Sequence, residues 1–229
     1  MKTDVFDDLL CLCMGDDLTT FRCEFAEIVG TLNHNEVGYF LTGSAAVSEY
    51  VNPFATTELD IQLLTHSAAD VANLLIPLDL DLTLDNNQLL IKSKQQTSRN
   101  FELLIYVYQP VPFASQHYQP GGFASVLGIQ QVPVADIQLL IWYQLRWMLE
   151  GGRLDRLQYK VYLAQLLESE RLTLGATREW LKAYTDTQIL LLFESAVSDM
   201  EHAKLNPGLS WAEVQALKKR LHEEYVKAK

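Results

Sequence analysis

The stretch Phe40–Thr65 reads FLTGSAAVSEYVNPFATTELDIQLLT. VGYFLT is a short apolar strand rich in β-formers, and it ends at Gly43-Ser44. AAVSEYV reads as a helix, and ELDIQLLT as the next strand. Alternation puts Glu58, Asp60 and Gln62 on one face of that strand and Leu59, Ile61 and Leu63 on the other. A Gly-Ser turn between strand and helix can present backbone N–H groups and a hydroxyl to a phosphate. It also serves wherever a tight turn needs a small residue and a cap. Neither GxxxxGK[ST] nor GxGxxG occurs in the chain. What lifts the turn above punctuation is its spacing to Asp60: one short helix, one loop, one strand.

Upstream, Asp17 is placed to cap a helix through LTTFRCEFAEIVGTLN, with Leu18, Phe21, Phe25, Ile28 and Val29 on one face. DVFDDLLCLCM before it reads as a separate short helix. Downstream, Ser67 caps the helix AADVANLLI, with Pro77 just past it. DLDLTL and QLLIKS flank Asp85-Asn86-Asn87 as a hairpin, and FELLIYVY is the last clear strand. The Pro/Gly-rich run from Pro110 to Pro133 is the best domain boundary, with room for some strand pairing inside it. After it the periodicity is helical throughout. Asp136 opens IQLLIWYQLRWMLE, and Gly151-Gly152 closes it. Helices follow near 157–169, 176–184 and 187–203, and a last one starts at the capping box Ser-Trp-Ala-Glu from Ser210. The expected layout is α+β: residues 1–132 form N-terminal helices and a mixed α/β domain, and 133–229 a helical bundle.

Composition limits the partners. The chain has 229 residues, 18 basic and 29 acidic, for a net charge of −11. That balance excludes a general electrostatic grip on nucleic acid. No window approaches the apolar length of a membrane span, so a soluble, cytoplasmic protein is expected. The three cysteines, Cys11, Cys13 and Cys23, have no histidine close by in sequence. They read as buried, reduced thiols and not as a zinc site or a disulfide framework. The five histidines show no metal spacing, and Thr42–Ala46 lacks the Gly-x-Ser-x-Gly of a serine hydrolase.

Gly43-Ser44, the intervening helix and ELDIQLL resemble the core motif of the nucleotidyltransferase superfamily. ADIQLLIWYQLRWMLEGGRLDRLQYKVYLAQLL is similar to the helical segment of its minimal and abortive-infection-type members. The resemblance covers roughly residues 37–167. It implies a nucleotidyltransferase-like mixed sheet with flanking helices, followed by a helical bundle. It also implies a site in which Gly43 and Ser44 bind nucleotide and Asp60 is catalytic. Metal ligands would be Asp60, the residue at position 62 and Glu102 from the FELLIYVY strand, holding Mg²⁺ for two-metal transfer. The partners so implied are an NTP or a protein, in a toxin–antitoxin or phage-defence setting.

The departures concern chemistry. Gln62 stands where the superfamily has the second Asp of Asp-x-Asp. An amide offers a carbonyl oxygen to a metal but no charge. Glu58 restores an acid-x-acid pair if the register shifts by two, and that alternative stays open. The loop NPFATTE carries no basic residue, and no lysine lies between Lys94 and Lys160. Arg146, the base on the helix after Asp136, reads as a surface charge lying beside Trp142 and Trp147. Together these changes point to a degenerate or altered site, a nucleotide- or partner-binding module. An active Mg²⁺-dependent nucleotidyltransferase is the alternative.

Overall fold

The computed structural model describes residues 18–51, 58–85, 88–93, 104–150 and 153–201. Asp17, the helix before it, the Asn86-Asn87 turn, Glu102 and the helix expected from Ser210 lie outside these residues. The chain divides into two compact units, Met1–Leu139 and Leu140–Lys229.

The first unit is built on a seven-stranded mixed sheet of order β3-β4-β5-β2-β1-β7-β6. Its strands are β1 (Tyr39–Thr42), β2 (Glu58–Leu63), β3 (Asp81–Asp85), β4 (Gln88–Lys92), β5 (Leu104–Tyr108), β6 (Pro120–Val126) and β7 (Ile129–Ala135). Helix α1 (Thr19–His34) precedes the sheet, α2 (Gly43–Val47) follows β1, and α3 (Ala68–Leu75) follows β2. A short helix α4 (Pro112–His117) leads from β5 toward β6.

The two central strands come from the quoted stretch. β1 and β2 pair antiparallel, with Thr42 opposite Asp60 and Phe40 opposite Gln62. β5 runs parallel to β2, with Leu104 opposite Glu58, Tyr106 opposite Asp60 and Tyr108 opposite Gln62. Leu59, Ile61 and Leu63 are fully buried, as are their neighbours Val107 and Leu89. α1 packs on β7 and on α3, and α3 packs on β3 and β4. The apolar stripe expected on α1 is the buried one: Phe21, Phe25, Ile28 and Val29. Cys23 falls between Phe21 and Phe25 on the opposite side of that helix and is exposed, so the expectation of a buried thiol fails for it. Ser67 caps α3 through a full capping box with Asp70.

The Pro/Gly-rich connection contains the strand pairing that its reading left room for. It holds two strands, β6 and β7, and β7 joins β1 in parallel through Leu41 and Val134. Two less legible strands thus follow FELLIYVY, the last clear one. Pro120, Gly121, Gly122 and Pro133 weakened the strand signal. Pro120, Gly121 and Gly122 are tolerated because β6 is a sheet edge with bulges near Pro120 and Ala124.

Asp136 opens helix α5 (Ile137–Glu150), its Oδ1 accepting from the Leu139 N–H at 2.7 Å. The helical unit continues with α6 (Arg153–Leu167), α7 (Leu174–Tyr184) and α8 (Thr187–Glu201). Trp142, Tyr143, Trp147 and Tyr159 form a chain of ring contacts with centroids 5.0–5.2 Å apart. Arg146 lies over the Trp142 ring and pairs with Glu150, the surface role expected of it. Among the described residues, no helix is long and apolar enough to cross a membrane.

Candidate functional site

The second face of β2 changes character along its length. Glu58 is exposed, Asp60 is half-buried, and Gln62 is 2% exposed. The closing of one end has visible causes. Tyr118, just after α4, stacks on Phe40 with centroids 4.3 Å apart. The Ser115 hydroxyl of α4 donates to the Leu64 carbonyl at 2.9 Å. The open end carries Asp60, with Tyr106 and Tyr108 facing it from β5.

Asp60 is held from two sides. The Tyr108 hydroxyl donates to its Oδ1 at 2.9 Å. Its Oδ2 lies against Gly43, in space that a Cβ at position 43 would occupy. Gly43 also has φ of +63°, the left-handed region that favours glycine. The turn thus has two reasons to be glycine, and one of them is Asp60. Burial pushes the Asp60 carboxyl up to about 7; the Tyr108 hydroxyl opposes this, and the nearby Glu58 charge adds to it. Thr42, cross-strand from Asp60, is fully buried, and its Oγ1 has no hydrogen-bond partner.

Gln62 plays a different part from Asp60. Its Nε2 donates to the carbonyls of Gln109 at 2.5 Å and Leu63 at 3.1 Å. The amide ties β2 to the end of β5, and a carboxylate has no N–H with which to do this. Ser44 is buried in the five-residue helix α2. Gly43 and Asp60 are therefore brought together, Gln62 is turned to the backbone, and Glu58 sits at the open end. Glu102 lies outside the described residues. Across from Glu58 and Asp60, β5 presents Leu104 and Tyr106.

Sequence reading missed Thr42, Tyr106 and Tyr108. The two tyrosines of IYVY are two apart and so share a face. The parallel register that turns this face to Asp60 is the part no local pattern carries.

Among solved structures, the chain is similar to an antigenic nucleotidyltransferase-like protein from Paracoccidioides brasiliensis. Identity is 12%, the TM-score is 0.53, and the match covers 82% of this chain and 92% of that one. The chain has the nucleotidyltransferase fold. Fainter likenesses include ANT(2")-Ia in complex with adenylyl-2"-tobramycin: 10% identity, TM-score 0.45, 80% of this chain and 99% of that one. Another is the lincomycin-bound lincosamide antibiotic adenylyltransferase LnuA: 12% identity, TM-score 0.39, 63% of this chain and 95% of that one. No protein-family model matches the sequence, and no curated protein matches it.

Of the acids expected at the site, the described residues place Asp60, half-buried, and Glu58, exposed, on this face of β2. A two-magnesium centre needs several carboxylate oxygens converging on a few ångströms. Here Asp60 Oδ1 accepts from the Tyr108 hydroxyl, Gln62 carries no charge, and β5 places Tyr106 opposite Asp60. Among the described residues, no group of three His, Cys, Asp or Glu side chains is placed to hold a metal ion.

Proposed function

We propose that the chain is a nucleotidyltransferase-fold binding module, one that holds a nucleotide or a protein partner on the open face of β2 without transferring it. The observation that carries this reading is Gln62. The position of the second carboxylate is occupied by a buried amide whose nitrogen bonds the Gln109 and Leu63 carbonyls. The charge needed to anchor a second metal is replaced by a strut between strands. Any Mg²⁺ at such a site enters with the nucleotide's own phosphates.

One observation favours the alternative, an active enzyme moving an NMP from NTP to an acceptor. The Asp60 carboxyl titrates near neutrality beside the Tyr108 hydroxyl, which suits a base that takes a proton from an acceptor hydroxyl. Glu58 is then the second acid of the pair.

A thermal-shift titration with ATP, GTP, CTP and UTP, each with and without Mg²⁺ or Mn²⁺, tests both. A ligand that binds only the folded state raises the midpoint by mass action. A shift with one nucleotide that is lost in Asp60→Ala, without nucleotidyl transfer to any acceptor offered, agrees with the module. Metal-dependent transfer abolished by Asp60→Ala overturns it in favour of the enzyme.

A further inference from the structure

The two ends of the sheet are finished differently. β6, at one end, is interrupted by bulges near Pro120 and Ala124, and such breaks blunt an edge against further pairing. β3, at the other end, pairs with β4 in unbroken register from Asp81–Lys92 to Asp85–Gln88. Among the described residues, no strand lies on its outer side. Alternate residues of a regular edge strand turn N–H and C=O groups outward, a template for one more strand.

The side-chain layer above β3 stops short of the same edge. Directly paired residues project from one face, so Leu82 and Leu84 share a face with Ile91 and Leu89. α3 packs on β3 and β4. Ile91 and Leu89 are buried beneath this layer, but Leu84 is 50% exposed, and Ile76, just past α3, is 66% exposed. A hollow of about 250 Å³ opens at the Asp85 end of β3, lined by Ala69, Leu84, Asp85 and Gln109. The Gln109 wall is fixed, its Oε1 accepting from the Ala68 N–H at 3.2 Å. Acids that guard an edge explain the charge of β3, but not the leucine and the hollow beside it.

Charge decides what fits. α3, β4 and the run Asp79–Asp85 hold Asp70, Asp79, Asp81 and Asp85 against Lys92 alone. A second copy of this chain suits the edge badly. Two β3 strands paired antiparallel about Thr83 would set Asp81 opposite Asp85, and like charges directly opposite destabilise a ladder. An extended segment with lysine or arginine at alternate positions meets the Asp81–Asp85 face with opposite charge. Its other residues then fall beside Leu82 and Leu84.

We propose that the outer edge of β3 binds an extended segment of a partner protein in which basic and apolar residues alternate. Backbone hydrogen bonds extend the sheet by one strand. The apolar side chains cover Leu84 and enter the hollow beside Ala69, and the basic ones lie along the face of Asp81. This edge is three strands from β2, and the inference stands whether or not the open face of β2 holds nucleotide.

The test is fluorescence anisotropy of a short labelled peptide of alternating lysine and valine, titrated with the full chain. Saturable binding is expected. One control peptide alternates glutamate and valine. The other is the lysine–valine peptide with its backbone amides N-methylated, which keeps the charge and loses the donors. Each control should bind at least about tenfold more weakly. Leu84→Ser and Asp81→Asn should each weaken binding of the lysine–valine peptide by about fivefold or more. Both side chains are exposed, so the melting points should hold, which separates lost binding from lost folding. Equal binding of the N-methylated peptide would reduce the contact to general electrostatic attraction and overturn the proposal. Equal binding of the glutamate peptide or indifference to both variants would overturn it as well. No saturable binding would also overturn it and leave the acids of β3 as guards of a bare edge.

Discussion

Leu59, Ile61 and Leu63, on one face of β2, are all fully buried, whereas Glu58, Asp60 and Gln62 on the other run from exposed to buried along the strand. The first face is one repeated instruction: three apolar side chains at a period of two, all buried. The second is three separate instructions. Glu58 stays in solvent, Asp60 is enclosed against Gly43 and Tyr108, and Gln62 bonds the backbone of the neighbouring strand. The lesson is that the core face tolerates reading by pattern, while the site face depends on single positions and on what lies opposite.

The comparison breaks most visibly if the core face is cut. Ile61→Ala removes a fully buried side chain and should cost about 2–5 kcal/mol, read from denaturant unfolding. Gly43→Ala should cost about 1–3 kcal/mol, because φ is +63° and the new Cβ meets the Asp60 carboxylate. A loss under about half a kcal/mol would mean that Asp60 moves freely and is not held by the turn. Gln62→Leu should cost a similar 1–3 kcal/mol, since two carbonyls lose their donor. If Gln62→Asp were as stable as the parent and gained Mg²⁺ affinity, position 62 would be a lapsed ligand and not a strut.

A pH series sharpens the contrast between Asp60 and its exposed neighbour. The Asp60 carboxyl titrates at about 7 when folded, against 3.8 ordinarily. Between those values the folded chain holds a proton that the unfolded chain has lost. Its stabilising contribution is full below the lower value and is lost as pH rises through the higher one. The slope from this group is up to about 1.4 kcal/mol per pH unit. Asp60→Asn should flatten the stability profile over that window, measured as the difference from the parent. The smallest effect belongs to the helical unit. Arg178 and Glu194 form a two-armed ion pair, 43% and 39% exposed. Arg178→Ala should cost at most about 1 kcal/mol and less in high salt.

Much of the fold was legible because its signals are local. The Gly-Ser turn, the alternation of ELDIQLL, the Ser67 and Asp136 caps and the stripe of α1 each rest on neighbours in sequence. β6 and β7 were legible only as pairing that a Pro/Gly-rich connection could hide, because prolines and glycines weaken the strand signal. At the site, the sharing of one strand face by Glu58, Asp60 and Gln62 could be read from the alternation. Tyr108 could not, because its bond to Asp60 spans 48 positions and depends on the parallel pairing of β2 with β5. Likewise, the contact between Gly43 and Asp60 depends on packing that the sequence does not carry.

The proposed binding module rests on position 62 acting as a strut between strands and not as a metal ligand. The direct measurement counts Mn²⁺ bound per bound non-hydrolysable nucleotide, by the paramagnetic signal of free Mn²⁺. The account predicts at most one Mn²⁺ per nucleotide, carried by the phosphates and unaffected by Gln62→Ala. Two Mn²⁺ per nucleotide, falling to one in Asp60→Ala, would contradict it.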